Sequence, residues 1–321
     1  MTLNELALES IPENSKTTYK LNSVQNALGE HWQIPVMVIK GKPGPVVGVT
    51  AALHGNELNG ISIIHKLWDK VEPSDLTGTL VLVPVMNIPG FLNGTREFSD
   101  QIDLNRIMPG HPEGTSSDVY AHLLMERIVK HFDFLIDLHT ASFGRINSLY
   151  VRADMGSEVV ARMAELQEPE IIVNKSGGKG TLRAEATRLG IHAITVEVGD
   201  PHVFQKRHIR SSIFGINNVL VDLGMLDEEK EEIAHSAVVC KDSAWIYAKT
   251  GGILRVFPTL IDKVEAGDVI ATVVDVFGNI VEKIESPRAG VVVAKATNPV
   301  CEVGSRIIHL GTVWDDYEEL S

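Results

Sequence analysis

Three short segments place metal-binding residue types where apolar segments end. In Ala52-Leu53-His54-Gly55-Asn56-Glu57-Leu58-Asn59-Gly60, an imidazole and a carboxylate lie three positions apart, His54 closing a predicted strand and Glu57 opening a predicted helix. The turn between them lets both side chains converge on one point, and Gly55 permits a tight backbone there. In Ile136-Asp137-Leu138-His139-Thr140, His139 closes a second apolar strand. Two imidazoles and one carboxylate are a donor set for a catalytic Zn2+ that keeps one position open for water. Ligands at the carboxyl ends of two strands can meet above an α/β sheet. The expected ligands are therefore His54, Glu57 and His139, holding one Zn2+ per chain. Asp137, two residues before His139 and on the same face of its strand, is placed to orient that imidazole. Taken alone, each segment also fits separate, satisfied polar residues. A His-x-x-Glu spacing is common by chance, and the second strand-end histidine is what raises the metal reading.

Two further segments carry charge in unusual places. Arg96 and Asp103-Leu104-Asn105-Arg106 fall in a stretch rich in turn residues, so it reads as a loop. Arginine binds carboxylates with a planar two-pronged fork, although a surface ion pair is the ordinary role of any single arginine. Glu197 lies inside the apolar run Thr195-Val196-Glu197-Val198-Gly199. A carboxylate there is costly unless it is paired or functional. Burial would raise its pKa toward the range of a general base, and the alternative is an ion pair with an arginine such as Arg183 or Arg188.

The elements that must position these groups are legible as alternating strands and helices. Residues 34–40 and 46–53 read as strands with 41–45 as the turn between them. Helical spacing follows from Gly60, then a β-branched run at 79–85, a helix at 118–130, and a buried strand at 134–138. A helix at 159–166, a strand at 193–198 and a helix at 213–226 complete the pattern. Apolar strands without polar alternation mean a sheet covered by helices on both faces. The charged stretch 227–232 reads as a linker or solvated helix. From Ala244 onward, short β-branched segments separated by Gly and Pro predict an all-β module. The expected division is 1–235 and 236–321.

Composition narrows the function classes. Lys+Arg total 29 and Asp+Glu 42, a formal net charge of −13. Such a surface repels phosphate backbones and argues against nucleic acid, while a local basic pocket for a small anion is compatible with it. Two cysteines without a CxxC imply no disulfide framework and fit a reducing compartment. The segment MTLNELALESIPENSK does not read as a signal peptide, and no apolar run reaches a membrane span, so a cytoplasmic protein off the membrane is expected. The stretch KSGGKGT at 175–181 lacks the order of a phosphate loop and reads as a mobile Gly-rich loop beside the site. No Gly-x-Ser-x-Gly supports a serine hydrolase, and no Gly-x-Gly-x-x-Gly a dinucleotide fold. His111, in a PGHPEG loop, is expected near substrate; the other histidines read as core or surface.

Together, HGNE (54–57), NR (105–106), DLHT (137–140) and the late strand carboxylate Glu197 resemble the succinylglutamate desuccinylase/aspartoacylase family, within the zinc carboxypeptidase superfamily. The resemblance runs over residues 35–225. It implies a zinc carboxypeptidase-like mixed α/β sheet with a smaller C-terminal barrel-sandwich domain. It also implies zinc ligands at His54, Glu57 and His139, a catalytic carboxylate at Glu197, and a carbonyl-polarising Arg96. Asn105 and Arg106 match the pair that holds the substrate's carboxylate, and Arg183 and Arg188 are both candidates for a second carboxylate. The implied reaction is hydrolysis of a small N-acyl amino acid. Two rival readings are a carboxypeptidase for short peptides and a non-catalytic metal-dependent binding protein. Residues 244–311 resemble a lipoyl/biotinyl-like module, but Lys283 and Lys295 lack the Met-Lys setting of a carrier lysine, so a structural module flanking the active-site mouth, or a docking platform, is expected. Oligomeric state is not legible; a homo-oligomer is compatible with the sequence.

Overall fold

The computed structural model describes residues 2–228 and 237–314. Four parallel strands form its centre, in the order Thr77–Val83, Lys42–Ala51, Phe134–His139 and His192–Val198. Their lack of polar alternation has the expected cause. Ile136 and Leu138 face one core, shared with helices Asn59–Lys70, Glu158–Glu165 and Lys206–Asp222. Leu135 faces the other, shared with helices Ser116–Arg127 and Leu182–Arg188. Leu149–Ala153 then joins His192–Val198 antiparallel, which makes the sheet mixed. Parallel strands Ile171–Asn174 and Val238–Tyr247 follow.

The sheet continues into the C-terminal β-rich part, where Arg306–Val313 and Gly290–Ala296 extend it. A second sheet of four strands includes Val269–Val274 and Gly252–Val256. Leu254, Val273 and Ile284 of that sheet share a core with Val292, Ile308 and Leu310 of the large one. The mixed sheet with helices on both faces and a C-terminal β-rich domain is thus the architecture expected. The expected division between residues 235 and 236, and most of the charged stretch 227–232, lie outside the described residues.

Local expectations need correction in two places. Residues 41–45 are not a turn: Gly41 N donates to Gly78 O at 3.0 Å and Lys42 N to Leu76 O at 2.9 Å, so this segment pairs with the start of Thr77–Val83. That strand inserts between the two flanking ones. The helix expected over 213–226 spans Lys206–Asp222; much of its first two turns is solvent-exposed, so they carry no apolar period, and Gly224 at φ +68° ends the apolar stretch in a turn.

Register places the chemistry. Asp137 is opposite Thr50 on one neighbouring strand and Thr195 on the other, and His139 is opposite Glu197. These side chains share the face that Leu135 occupies, at the carboxyl ends of the strands. Lys42–Ala51 is the strand from which the order departs in both directions, the kind of crevice where α/β sheets bind ligands.

Candidate metal centre and active-site cavity

The loop between Ala51 and Asn59 is held from three sides: by the Met86–Asn87 backbone, by Val198, and by His202, whose backbone N–H donates to Asn56 O at 3.1 Å. Asn87 and Met86 backbone N–H groups donate to Ala52 O and Ala51 O at 3.0 and 2.9 Å. Asn59 Nδ2 donates to Val198 O at 2.7 Å, tying the helix start to the strand that carries Glu197. Gly55 is required by space, not by φ: a Cβ there would lie 1.9 Å from Gly90 C and 2.1 Å from Phe91 N.

His54, Glu57 and His139 are buried, and one ligand atom from each lies within 4.8 Å of the others. His54 Nδ1 is 2.9 Å from Glu57 Oε1, His139 Nδ1 is 2.9 Å from Glu57 Oε2, and the two Nδ1 atoms are 3.1 Å apart. The outer nitrogens are engaged by carboxylates. His139 Nε2 meets Asp137 Oδ2 at 2.6 Å, and His54 Nε2 meets Asp103 Oδ1 at 3.1 Å. Thr50 Oγ1 donates to Asp137 Oδ1 at 2.7 Å and braces that carboxylate. A carboxylate accepting Nε2–H leaves the Nδ1 lone pair facing inward. Two such lone pairs and a carboxylate repel one another unless positive charge lies between them, so the donor set fits a Zn2+-type cation.

The titration directions agree. Burial opposes ionisation of Glu57, but the facing His54 and His139 more than offset it and hold the carboxyl well below the usual carboxylate range. Asp103 is depressed in the same way, burial being outweighed by His54 and Arg96. Burial favours neutral His139, yet Asp137 and Glu57 raise its pKa well above the ordinary imidazole value. The cluster draws positive charge to its centre.

Arg96, Asn105, Arg106, Arg183 and Glu197 line the same cavity, of about 470 Å³. Arg96 donates through Nε and Nη2 to Asp103 Oδ2 at 3.1 and 3.0 Å, and through Nη1 to Glu57 Oε1 at 3.1 Å and Ser142 Oγ at 2.6 Å. Asn105 Oδ1 accepts from Leu182 N at 2.7 Å, which fixes the orientation of its amide. Arg106 is largely exposed and lies 3.4 Å from Asp103 Oδ2. Glu197 is buried and paired, but neither Arg183 nor Arg188 is its partner: Arg152 Nε donates to Oε1 at 3.2 Å and Asn147 Nδ2 to Oε2 at 3.0 Å. Arg152 comes from Leu149–Ala153, the antiparallel strand beside it. Arg183 lines the cavity, whereas Arg188 pairs with Glu185 at 2.7 Å and does not. His111 does not line it either; its Nδ1 accepts from Glu113 N at 3.1 Å. Lys175, Gly178 and Thr181 put the Gly-rich loop beside the site.

Sequence reasoning missed three contributions. Asp103 was legible only as a loop acid, with no local sign of its bond to His54. Arg152 and Tyr150 sit on a strand whose insertion in the sheet no nearby residue announces. Trp245, Arg306 and His309 come from the C-terminal β-rich part and close one wall. No helix among the described residues is long and apolar enough to cross a membrane.

A buried two-histidine, one-carboxylate cluster at the strand ends of a mixed α/β sheet, beside a carboxylate and an arginine-lined cavity, defines the class of protein. Residues 43–223 match the succinylglutamate desuccinylase/aspartoacylase catalytic domain, and the chain belongs to that family. Over 299 residues it is 28% identical to the N-alpha-acetyl-L-2,4-diaminobutyric acid deacetylase of Halomonas elongata, covering 87% of this chain and 86% of the relative. Its fold is that of the product-bound ectoine utilization protein EutE (DoeB) from Ruegeria pomeroyi, with TM-score 0.85, 22% identity, and 94% and 98% of the two chains covered. The succinylglutamate desuccinylase/aspartoacylase from Rhodobacter sphaeroides is similar to the same degree, with TM-score 0.84, 22% identity, and 97% and 100% covered.

Proposed function

We propose that this chain is a Zn2+-dependent amidohydrolase that removes the acyl group from a small N-acyl amino acid. The observation that carries this reading is the convergence of His54, Glu57 and His139 within 4.8 Å in a cavity that Glu197 also lines. Family membership and a deacetylase relative support the reaction class.

Zn2+ held by His54, Glu57 and His139 would supply the positive charge that acidifies water and stabilises negative charge on the acyl oxygen. The remaining work belongs to the chain. Glu197 Oε takes a proton from the attacking water and returns it to the departing amine as the C–N bond breaks, leaving a carboxylate and a free amino acid. Arg152 and Asn147 hold Glu197 in place. Arg96 donates to the acyl oxygen. Asn105 and Arg106 hold the α-carboxylate. The C-terminal part, residues 236–321 in our division, narrows the cavity through Trp245, Arg306 and His309 and favours small substrates over peptides. The chain is proposed to work in the cytoplasm, with Zn2+ as its cofactor and a small N-acyl amino acid as its partner.

The test is a panel of N-acyl amino acids and short peptides, N-α-acetyl-L-2,4-diaminobutyrate included, given to zinc-loaded protein and followed by release of free amine. Turnover of N-acyl amino acids is the expected result. Peptide C-terminal trimming alone would favour a carboxypeptidase, and zinc binding without any turnover would favour a binding protein.

A further inference from the structure

The two oxygens of the Glu197 carboxylate are held from two different parts of the molecule. Arg152, which donates to Oε1 at 3.2 Å, stands on Leu149–Ala153, a strand paired directly with the one that carries Glu197. Asn147, which donates through Nδ2 to Oε2 at 3.0 Å, does not share that support. It ends the short strand Arg145–Asn147, which lies off the main path of the large sheet and, among the described residues, pairs with Gly290–Ala296 alone. In that pairing Asn147 is opposite Ala294, Ile146 opposite Lys295 and Arg145 opposite Ala296.

The segment is fastened at both ends to the same C-terminal strand and its continuation. Ser148 N and Ser148 Oγ both donate to Val293 O, at 3.1 and 3.0 Å. At the other end, Thr297 N and Asn298 N donate to Gly144 O at 2.8 and 3.2 Å. Ser148, Asn147 and Glu197 are all buried, so the bonds that link them are sheltered from water. A carboxylate gripped through one oxygen still turns about its last bond, whereas a second donor on the other oxygen fixes its plane. The plane matters to a base, which must come within about 2.6–3.2 Å of the atom whose proton it takes. Gly290–Ala296 is paired on its other edge with Arg306–Val313, which brings Arg306 and His309 to the cavity. One strand of the C-terminal β-rich part thus supports both a cavity wall and the amide that orients Glu197.

We propose that Asn147 is a positioning residue for proton transfer by Glu197, and that the C-terminal β-rich part, through Gly290–Ala296, holds it in place. The inference rests on the deacylase reading, with Glu197 as the base, and deepens it: the β-rich part governs the rate of the chemical step as well as the width of the entrance.

The test is steady-state kinetics of zinc-loaded variants on the best substrate of the panel, with zinc content measured on each. Asn147→Ala removes the amide, and Asn147→Asp keeps its shape without the donor. Both should lower kcat by about 10- to 100-fold, with KM within about twofold of the parent chain and zinc retained. Ser148→Val removes the hydroxyl donor to Val293 and sets a bulkier side chain at a buried position, outside the cavity. It should lower kcat by about 3- to 10-fold, again with KM and zinc unchanged. Parent-level kcat in the Asn147 variants, or a loss carried wholly by KM, would overturn the positioning role. Parent-level kcat in Ser148→Val would overturn the part given to the C-terminal strand. No hydrolysis by the parent chain, or parent-level turnover in Glu197→Gln, would instead be a failure of the deacylase reading. The contact is then judged by urea unfolding of Asn147→Ala, Glu197→Ala and the double variant. A fall in midpoint smaller than the sum of the two single falls supports it, and additive falls overturn it.

Discussion

Asp103 Oδ1 lies 3.1 Å from His54 Nε2, joining residues 49 positions apart, and this bond mirrors the one between Asp137 and His139. Each imidazole therefore carries an acid on the nitrogen turned away from Glu57. Asp103 is itself gripped by two N–H groups of Arg96. Asp103→Asn removes the charge that sets the His54 tautomer. Metal affinity should fall about 10- to 100-fold, measured by competition with a chromophoric chelator. Unchanged affinity would remove Asp103 from the site.

Glu197→Gln tests the carboxylate opposite His139. The amide keeps the size and can still accept a hydrogen bond from Arg152 or Asn147, but it cannot take a proton from water. Metal content should be retained while kcat falls by about 10²- to 10⁴-fold on the best substrate of the panel. Parent-level turnover would assign the proton transfer elsewhere.

Gly55→Ala tests the packing that aims His54 and Glu57. The new methyl would overlap backbone atoms of Gly90 and Phe91, which cannot swing away as a side chain can. A loss of about 1–3 kcal/mol in urea unfolding is expected. Full stability in this variant would mean that the loop yields more readily than its three-sided anchoring implies.

Helix Ser116–Arg127 begins with a reciprocal cap, in which Thr115 Oγ1 accepts from Asp118 N at 3.3 Å and Asp118 Oδ2 accepts from Thr115 N at 3.0 Å. The Thr115 hydroxyl and backbone N–H hold the Asp118 carboxyl below its ordinary value of 3.8. A depressed acid stabilises fully above its unfolded-state pKa, and the contribution is lost as pH falls through the native value. Thr115→Ala should therefore cost about 1 kcal/mol near neutrality. The gap to the parent chain should narrow as melts are taken from about pH 6 down to about pH 3. A gap that stays constant would argue that the carboxylate has no part in the cap.

What the sequence reveals follows from which interactions are local. His54, Glu57, Asp137 and His139 were legible because each ends or opens an apolar element within a few residues. The parallel strands were legible because burial on both faces removes polar alternation. Ser15–Gln25 is not legible as a strand because its SKTTYKLNSVQ run is largely polar, although it pairs with His31–Lys40 along most of its length. Nearness in sequence points to Arg183 or Arg188 as the partner of Glu197; the strand inserted beside it supplies Arg152 instead. Trp245 and Arg306 could not be assigned to the cavity because their approach depends on how the C-terminal strands extend the large sheet.

Metal analysis coupled to activity bears most directly on the whole account. The protein would be stripped with a chelator, reloaded with Zn2+, freed of excess metal, and compared with His54→Ala and His139→Ala treated alike. One tightly held ion per parent chain, little in either variant, and amine release that returns only with the ion are the expected results. Full zinc retention in both variants, or equal amine release from stripped and loaded protein, would contradict them.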